Sequence, residues 1–512
     1  MKNKFNRRDF IKLAGLMPFS MMAPRLEKMI GSPQPLSGQN KNVLVIVFDA
    51  FSAYHVSMYG YQRETTPNLA KLAERAVIYH NHYAGGNFTT PGTASLLTGT
   101  LPWSHRAFEA KATVAPQYVT RNFFSAFEDY YRIAYTHNGW ANILLEQFHA
   151  QMSELVPWES LFLRPYFGFV LDMFGKDIDN AMVAWTRNVD IKQYGYSYSL
   201  FLSQFYEVLK EQRYATLNKE FPRGIPSTGF ADNDFLLENA TDWVGKKLPN
   251  IPQPFLGYFH FLPPHGPYNT PLEFIGRFGH DGYKPINKPV DVFSENRSYA
   301  DLLERRIEYD EYLLYVDREF GRLFNYLETA GLMENTWLVL TSDHGEMFER
   351  GISGHSTNAL YQPVIRIPLL IFEPGRKTSM DIYTRTSAVD VLPTLAHLTG
   401  HQIPDWTEGV LLPPYAPTSP DPNRSIYVVE ANRNDGSIPL TRASTVIVRG
   451  GYKLLYYFGY KEREIDELIR LFNIETDPEE LIDLYASQKD IADELLKELK
   501  SKLDEVNRPY LK

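Results

Sequence analysis

The sequence NVLVIVFD at residues 42–49 limits the possible folds of this chain more than any other segment. Six consecutive apolar residues followed by a carboxylate predict a short strand buried on both faces, as in a parallel sheet covered by helices on each side. In open parallel sheets, ligands bind at the carboxyl ends of the strands. Asp49 is therefore a candidate site residue.

A second segment, TWLVLTSDH at residues 336–344, has the same design. Its apolar strand ends near Asp343 and His344, and both side chains are able to bind a metal ion. Either aspartate alone is most simply explained as the cap of a following helix. The two aspartates together with His344 favour a metal site, so we expect Asp49 and His344 to lie within roughly 8 Å of each other.

Length and composition restrict the class of protein. The chain has 512 residues, which fits one large α/β domain and a smaller second one. A net charge of −9 and the absence of a basic stripe argue against nucleic acid as a partner. The chain contains no cysteine, which excludes disulfides and thiolate metal sites.

The amino terminus has the pattern of an export signal. Residues 6–12, NRRDFIK, contain paired arginines, and the apolar run Leu13–Ala23 that follows is too short to span a bilayer. We interpret residues 1–35 as a twin-arginine signal and linker, which predicts a periplasmic or other extracytoplasmic location. An amphipathic surface helix is the alternative. We find no other transmembrane candidate and expect no span in the mature chain.

The segment NFTTPGTASLLTG at residues 87–99 predicts the end of a strand, a helix that starts near proline, and a glycine stop. A hydroxyl from Thr89 or Thr90 at such a helix start lies against backbone N–H groups, where an oxyanion or phosphate is favoured. The alternative is that one of these threonines only caps the helix. Thr66, before Pro67, is a second predicted N-cap.

Several motifs carry a family resemblance. In chain order they are Asp49 after its strand, TPNL at 66–69, TTP at 89–91 with LLTG at 96–99, PHGP at 264–267, SDHGE at 342–346, RIPLLIFEPG at 366–375, DVLPT at 390–394, KLLY at 453–456 and LFNIETDP at 471–478. This set resembles the sulfatase family of the alkaline-phosphatase-like superfamily, in family order from residue 42 to the end.

The resemblance implies an α/β fold of the alkaline-phosphatase-like type. Its mainly parallel sheet, flanked by helices, would form a catalytic domain at residues 42–412. A small antiparallel sheet plus helix would follow at residues 423–512, with strands near 425–430, 445–449 and 453–458. The closing helix is indicated by apolar residues at i, i+4 spacing: Ile491, Leu495, Leu499 and Leu503. Residues 301–330 predict one long amphipathic helix.

The departures from the family pattern bear on function. Members that cleave sulfate esters have a cysteine or serine, converted to formylglycine, where this chain has Thr89, and an arginine at the position of Thr93. A second aspartate is replaced by Ala50. The usual Gly-Lys-Trp-His segment corresponds to residues 138–141, NGWA, and lacks both sulfate-binding side chains. The usual asparagine is His344.

The combination of Asp49, Thr89, Asp343 and His344 resembles the branch that uses threonine as a nucleophile on phosphorus. That branch includes phosphoglycerol and phosphoethanolamine transferases and several phosphodiesterases. The resemblance implies that these four residues bind one divalent metal ion. Oxygen and imidazole ligands suit manganese or zinc, and calcium is common in the family.

Thr89 is implied to be the nucleophile, activated by the metal ion and esterified during turnover. His265 and His355 are implied to contact the ester oxygens or to protonate the leaving group. We expect a metal-dependent hydrolase or transferase for phosphodiesters, with a small-molecule, lipid or glycan ester as substrate. The alternatives are a true sulfuric ester hydrolase and a non-catalytic binding protein with this fold.

An aromatic-rich insertion at about residues 153–210 has no family motif. Two interpretations stay open: a helical lid that selects an apolar or sugar-like part of the substrate, or packing beneath a long excursion of the chain.

Overall fold

The strand Asn42–Phe48 lies at the centre of an eight-stranded sheet. The described strands are β1 (Asn42–Phe48), β2 (Val77–Tyr79), β3 (His82–Tyr83), β4 (Tyr131–Thr136), β5 (Glu154–Leu155), β6 (Phe255–Phe261), β7 (Thr336–Thr341), β8 (Met347–Glu349), β9 (Ile352–Gly354), β10 (Leu369–Phe372), β11 (Met380–Ile382), β12 (Thr386–Ser387), β13 (Ile426–Glu430), β14 (Ala443–Arg449), β15 (Tyr452–Tyr460) and β16 (Ile465–Asn473). The described α-helices are α1 (Pro67–Ala73), α2 (Thr89–Thr98), α3 (Pro102–His105), α4 (Phe123–Ala126), α5 (Gly139–Gln147), α6 (Leu237–Lys247), α7 (Tyr299–Thr329), α8 (Gln362–Ile365), α9 (Val391–Leu398) and α10 (Lys489–Asn507).

This computed structural model describes residues 41–163, 212, 214–229, 233–419 and 421–511. The predicted export signal at residues 1–35 lies outside the described residues, and so does most of the aromatic-rich segment, residues 164–210. Among the described residues, no helix combines the length and the apolar character that crossing a membrane requires.

The main sheet has the order β11–β2–β10–β7–β1–β6–β4–β5. Strand β1 is parallel to both of its neighbours, β6 and β7, and only β10 runs antiparallel to the strands beside it. The mainly parallel α/β fold is therefore confirmed. Because β6, β1 and β7 are adjacent and parallel, the residues at their carboxyl ends meet at one edge of the sheet.

Helices cover both faces of the sheet, which explains the uninterrupted apolar run of β1. Its residues Leu44, Ile46 and Phe48 pack with α1, α6 and α7. Its residues Val43, Val45 and Val47 pack with α2, α5 and α9. All six side chains are buried. A strand between two helical layers gains from apolar residues at every position.

The long helix predicted at residues 301–330 is α7. One of its side chains, and not the predicted cap Thr66, binds the start of α1. Thr66 precedes α1, but its side chain makes no capping hydrogen bond. Asp317 of α7 accepts the hydrogen bonds from the backbone N–H groups of Asn68 and Leu69, at 2.8 and 2.7 Å. A carboxylate from a distant helix therefore satisfies the donors at the start of α1.

The carboxyl-terminal sheet contains four antiparallel strands in the order β13–β14–β15–β16, one more than the sequence predicted. The additional strand β16 carries acidic residues at positions 466 and 467. One face of the sheet is covered by Leu495, Leu499 and Leu503 of α10. The small antiparallel sheet with a closing helix is confirmed.

The opposite face of this sheet contacts helix α8 through a buried carboxylate. Glu480 accepts a hydrogen bond from the Lys453 ammonium group at 2.5 Å and another from the backbone N–H of Gln362 at 2.9 Å. Gln362 begins α8, and the carbonyl of the next residue, Pro363, accepts a hydrogen bond from the backbone N–H of Glu346 at 3.1 Å. Both oxygens of the buried Glu480 carboxylate therefore have a hydrogen-bond donor.

His105, at the end of α3, is a buried histidine that must stay neutral. Its Nδ1 accepts from the backbone N–H of Ala107, and its Nε2 lies 3.1 Å from the Ser95 hydroxyl. Burial lowers the pKa of His105 to about 3. The unfolded chain takes up this proton near pH 6.5, whereas the folded chain does not.

We predict that the free energy of unfolding decreases as the pH falls from about 6.5 toward 3, with His105 contributing up to about 1.4 kcal/mol per pH unit. His105→Gln should make that slope shallower by this amount between pH 6 and pH 5. Urea unfolding at several pH values measures the slope, and His149→Gln, at an exposed histidine, is the control. Equal slopes for His105→Gln and the unsubstituted chain would contradict the prediction.

Candidate active site

Two carboxylates and an imidazole meet at the carboxyl edge of the three central strands. Asp49 directly follows β1, and Asp343 and His344 follow β7. His344 Nε2 lies 3.3 Å from Asp49 Oδ1 and 3.5 Å from Asp343 Oδ2. All three side chains are completely buried. The separation of Asp49 from His344 is therefore well within the limit expected from the sequence.

A fourth side chain, His260 on β6, joins this cluster and was missed in the sequence. Its Nε2 lies 3.3 Å from Asp49 Oδ2 and 3.7 Å from Asp343 Oδ2. Asp49, His260 and Asp343 offer ligand atoms that all lie within 4.8 Å of one another, a spacing that suits one metal ion. The sequence feature that could have indicated His260 is a lone histidine in the apolar segment FLGYFHF. In the sheet this histidine pairs with Val47 of β1.

The hydrogen-bond arrangement of the cluster fits a bound cation. Asp49 Oδ1, His260 Nε2 and His344 Nε2 are buried and have no hydrogen-bond partner among the described residues. The Nδ1 atom of His344 lies 2.9 Å from the Gly345 carbonyl, which fixes the proton there and leaves Nε2 free. Unpartnered buried polar atoms each cost about 1–3 kcal/mol, and a metal ion between them would remove that cost.

The electrostatics of the cluster are those of a compact ion group. Burial opposes ionisation of Asp49, but His265, His260 and His344 hold its pKa well below the usual range. Burial and the charge of Asp49 raise the pKa of Asp343. Burial favours the neutral form of His344, but Asp343 and Asp49 raise its pKa to about 9. A cation is therefore favoured among these carboxylates, whether it is a proton or a metal ion.

Thr89 is the first residue of α2, and its hydroxyl lies at the edge of the cluster. Its Oγ1 is 3.5 Å from Asp49 Oδ2. Phe88 is the N-cap of α2, so the interpretation of either threonine as the cap is wrong. The Oγ1 of Thr90 is buried without a hydrogen-bond partner among the described residues. Of these two neighbouring threonines, Thr89 is the one whose hydroxyl contacts a candidate metal ligand.

Helix α2 lies unusually close to the loop that carries Asp343. A Cβ atom on Gly92 would lie 2.3 Å from the carbonyl oxygen of Asp343, so only glycine permits this approach. One turn after Thr89, the Thr93 hydroxyl lies 3.4 Å from Asp343 Oδ2. The position that carries arginine in sulfate-cleaving relatives is therefore occupied by a short side chain that contacts Asp343.

Asn138 also contacts the site, although the sequence indicated only the loss of sulfate-binding side chains there. Its amide nitrogen lies 2.5 Å from Asp49 Oδ2 and 3.2 Å from Thr89 Oγ1. Asn138 is the N-cap of α5. A turn asparagine gives no signal in the sequence that it faces a site, because its direction depends on the cap geometry.

Two further histidine rings, those of His355 and His265, extend the site on one side. The rings of His344 and His355 have centroids 4.3 Å apart, and those of His355 and His265 are 4.8 Å apart. His355 Nδ1 lies 3.1 Å from a carboxylate oxygen of Glu346. Burial lowers the pKa of His355 despite that carboxylate. The structure therefore brings all the predicted site residues together, while their catalytic roles stay predictions.

Ala50 occupies the position where the family has a second aspartate. Its backbone is in the left-handed region, with φ of 60°. This turn directs its N–H toward Asp343 Oδ1 at 3.3 Å, and its carbonyl accepts from the Tyr309 hydroxyl at 2.7 Å. Ala50 therefore orients a ligand through its backbone but supplies none through its side chain.

Two aromatic residues of the described part of the insertion pack beneath this region. A Cβ atom on Gly139 would lie 3.3 Å from the Trp158 ring, and Trp158 donates to the His137 carbonyl at 2.8 Å. Phe162 packs edge-on against Trp158. For these two residues the structure shows packing.

Comparison with known proteins gives consistent matches. Residues 41–401 match the profile of the family described as Sulfatase. Residues 355–509 match the profile described as N-sulphoglucosamine sulphohydrolase, C-terminal.

Curated relatives are distant. Arylsulfatase K of Xenopus laevis is 28% identical over 306 residues, which cover 52% of this chain and 55% of that protein. The match thus spans only about half the length of that relative. Choline-sulfatase of Rhizobium meliloti (strain 1021) is 24% identical over 455 residues, covering 84% of this chain and 79% of that protein.

Solved structures share the fold. A phosphonate monoester hydrolase of Agrobacterium radiobacter has a TM-score of 0.63 at 17% identity, covering 92% of this chain and 96% of that one. A 2-O GAG sulfatase has a TM-score of 0.63 at 16% identity, covering 92% and 94%. The alkaline-phosphatase-like fold is confirmed by these neighbours.

We predict that His260 is a metal ligand. His260→Ala should weaken Mn²⁺ binding at least about 10-fold, because an imidazole nitrogen is lost from the cluster. Isothermal titration calorimetry of the metal-free protein measures the affinity. The matched control is His82→Ala, at a buried histidine that contacts Thr386 and, among the described residues, no carboxylate. An unchanged Mn²⁺ affinity in His260→Ala would show that His260 is only a neighbour of the site.

Proposed function

Because the chain belongs to the sulfatase family, we propose that it is a metal-dependent hydrolase or transferase that cleaves phosphoesters, and phosphodiesters best, with Thr89 as the nucleophile. The observation that carries this proposal is the position of the Thr89 hydroxyl, at the start of α2 and beside Asp49. The chain has no cysteine from which formylglycine could be made.

The residues of the site support a covalent route. A divalent ion bound by Asp49, Asp343, His344 and His260 would lower the pKa of the Thr89 hydroxyl and neutralise charge on the substrate. The hydroxyl proton of Thr89 is directed toward Asp49 Oδ2. Attack forms the bond from Thr89 Oγ1 to phosphorus, passes the hydroxyl proton of Thr89 to Asp49 Oδ2, and breaks the bond to the leaving alcohol.

The leaving oxygen then needs a proton. His265 and His355 lie side by side next to the cluster, and Glu346 fixes the Nδ1 proton of His355. We assign His265 and His355 to contact the ester oxygens or to protonate the leaving alcohol. Water or an acceptor alcohol then releases the phosphoryl group from Thr89, which completes hydrolysis or transfer.

The charge of the site favours a diester. Among the described residues, no lysine or arginine contacts Asp49, Thr89, Asp343 or His344. The positions that are cationic in sulfate-cleaving relatives are Thr93, Gly139 and Ala141. A phosphate monoester carries up to two negative charges near neutral pH and would be poorly compensated here. A phosphodiester carries one negative charge and matches the site better.

Sulfuric ester hydrolysis is the second candidate, because sulfatase names predominate among the relatives. A sulfate monoester also carries one charge, so charge alone does not exclude it. Its weakness is that position 89 holds a threonine, where sulfate-cleaving members have the cysteine or serine that becomes formylglycine. A non-catalytic binding role, suggested by Ala50, is a third candidate.

The substrate class and compartment are also proposals. Relatives named as glycan sulfatases, such as the 2-O GAG sulfatase, support a glycan ester as one substrate class. Export by the twin-arginine route to the periplasm or another extracytoplasmic compartment rests on the sequence of residues 6–23 alone.

We predict that the protein loaded with Mn²⁺ or Zn²⁺ hydrolyses bis-p-nitrophenyl phosphate faster than p-nitrophenyl phosphate, and p-nitrophenyl sulfate slowest. Release of p-nitrophenol measures all three reactions under identical conditions. Asp343→Asn, which removes a metal-binding charge, is the control for contaminating enzymes. Efficient sulfate hydrolysis with the diester untouched would favour the second candidate, and inactivity on all three esters would favour the third.

We predict that Thr89→Ala lowers kcat for the preferred ester by more than roughly 10³-fold, because the covalent route and one metal contact disappear together. Thr90→Ala is the matched control, since it changes the neighbouring hydroxyl, which contacts none of the metal-binding groups. Circular dichroism should show both variants folded. A greater loss in Thr90→Ala would reverse the assignment of the nucleophile.

A further inference from the structure

We propose that Asn138 is a positioning residue for the nucleophile, whose amide group holds the Thr89 hydroxyl and the Asp49 carboxylate in one fixed arrangement. The proposal rests on the assignment of Thr89 as the nucleophile. It gives a role to a position where the sequence indicated only the loss of sulfate-binding side chains.

The orientation of the Asn138 amide follows from its hydrogen bonds. Its Oδ1 accepts from the backbone N–H groups of Trp140 and Ala141, at 2.7 and 3.2 Å. These groups are donors only, so the amide oxygen must face them and the amide nitrogen must face the opposite way. The helix cap of α5 therefore determines which end of the side chain enters the site.

Both hydrogens of the amide nitrogen are used at the site. One is directed at Asp49 Oδ2, 2.5 Å away, and the other at Thr89 Oγ1, 3.2 Å away. Because Thr89 Oγ1 accepts from Asn138, the hydrogen of the Thr89 hydroxyl must point elsewhere. Asp49 Oδ2, at 3.5 Å, is the acceptor within reach. The three groups form a closed triangle that selects one rotamer of Thr89.

The turn that carries Asn138 is held on several sides. Its own N–H donates to Thr136 Oγ1 at 2.9 Å. The preceding residue, His137, donates its N–H to the carbonyl of His260 at 3.1 Å. On the other side, the Trp158 ring lies against Gly139. A side chain with 6% of its surface exposed on such a rigid turn is suited to hold a nucleophile.

The same amide joins the amino ends of two helices. Thr89 begins α2 and Asn138 caps α5, and both helices cover the same face of the sheet. Asn138 thus fixes the distance between two helix ends that both favour negative charge at the site. In the family pattern this turn supplies a lysine and a histidine to the substrate, whereas here it supplies an amide to the nucleophile.

The test compares Asn138→Ala and Asn138→Asp with the same changes at Asn122. Asn122 is also buried and caps a helix, α4, with its Oδ1 accepting from Phe124 and Ser125. Its hydrogen bonds in the described part of the chain all stay within residues 119–126, away from the site. Asn138→Ala removes both the cap and the donor. Asn138→Asp keeps the cap acceptor, replaces the donor nitrogen with an oxygen and adds a negative charge beside Asp49 Oδ2.

Two measurements are needed. Calorimetric titration with Mn²⁺ should show affinity about 10- to 100-fold weaker in Asn138→Ala and unchanged in Asn122→Ala, because only Asn138 orients a metal-binding carboxylate. With bis-p-nitrophenyl phosphate, Asn138→Asp should lower kcat by about 100-fold with KM within about 3-fold, since the ester itself is still bound. Asn122→Asp should keep the unsubstituted values.

Wild-type Mn²⁺ affinity in a folded Asn138→Ala, or wild-type kcat in Asn138→Asp, would overturn the proposal. If Asn138→Ala does not fold while Asn122→Ala does, kcat of Asn138→Asp decides the question. If the unsubstituted protein hydrolyses no ester, the proposed function fails, and the Mn²⁺ titration of Asn138→Ala still tests whether Asn138 orients the ligands.

Discussion

The parallel pairing of β1 with β6 and β7 is the constraint on which the site depends. These three strands end at the same edge and deliver Asp49, His260, Asp343 and His344 to a volume a few ångströms across. The apolar layers on both faces keep that edge dry, so the charges interact strongly and each unpaired atom is costly. The burial that makes the sheet stable also makes a cation favourable where the strands end.

The parts of the site that follow from strand ends could be predicted from the sequence. Asp49 and Asp343 each close an apolar run, and the parallel-sheet rule alone brings them together. His260 could not be predicted in this way, because it lies within a strand and its direction depends on the pairing register. Asn138 could not be predicted because a cap determines which end of its amide faces Thr89. The local sequence contains neither the strand register that directs His260 nor the contact between the Asn138 amide and Thr89.

In the fold, too, features set by nearby residues could be predicted from the sequence, whereas features set by distant contacts could not. The long helix α7 and the closing helix α10 have periodic apolar residues, and the structure confirms both predicted helices. Strand β16 was missed because it carries acidic residues and is half-exposed at the edge of its sheet, so its pattern is weakly apolar. The donors at the start of α1 are satisfied by Asp317, about 250 residues away along the chain, and Thr66 gave no indication of this.

The buried Glu480 has a consequence for exchanging parts between related proteins. Glu480 binds the carboxyl-terminal sheet through Lys453 and binds α8 through Gln362. The second residue of α8, Pro363, accepts a hydrogen bond from the backbone N–H of Glu346, beside the metal-binding loop. A chimaera that took its carboxyl-terminal segment from a relative would bring a foreign carboxylate and ammonium group to this junction. The segment and α8 therefore have to be inherited as a unit, and the two parts of the chain are expected to evolve together.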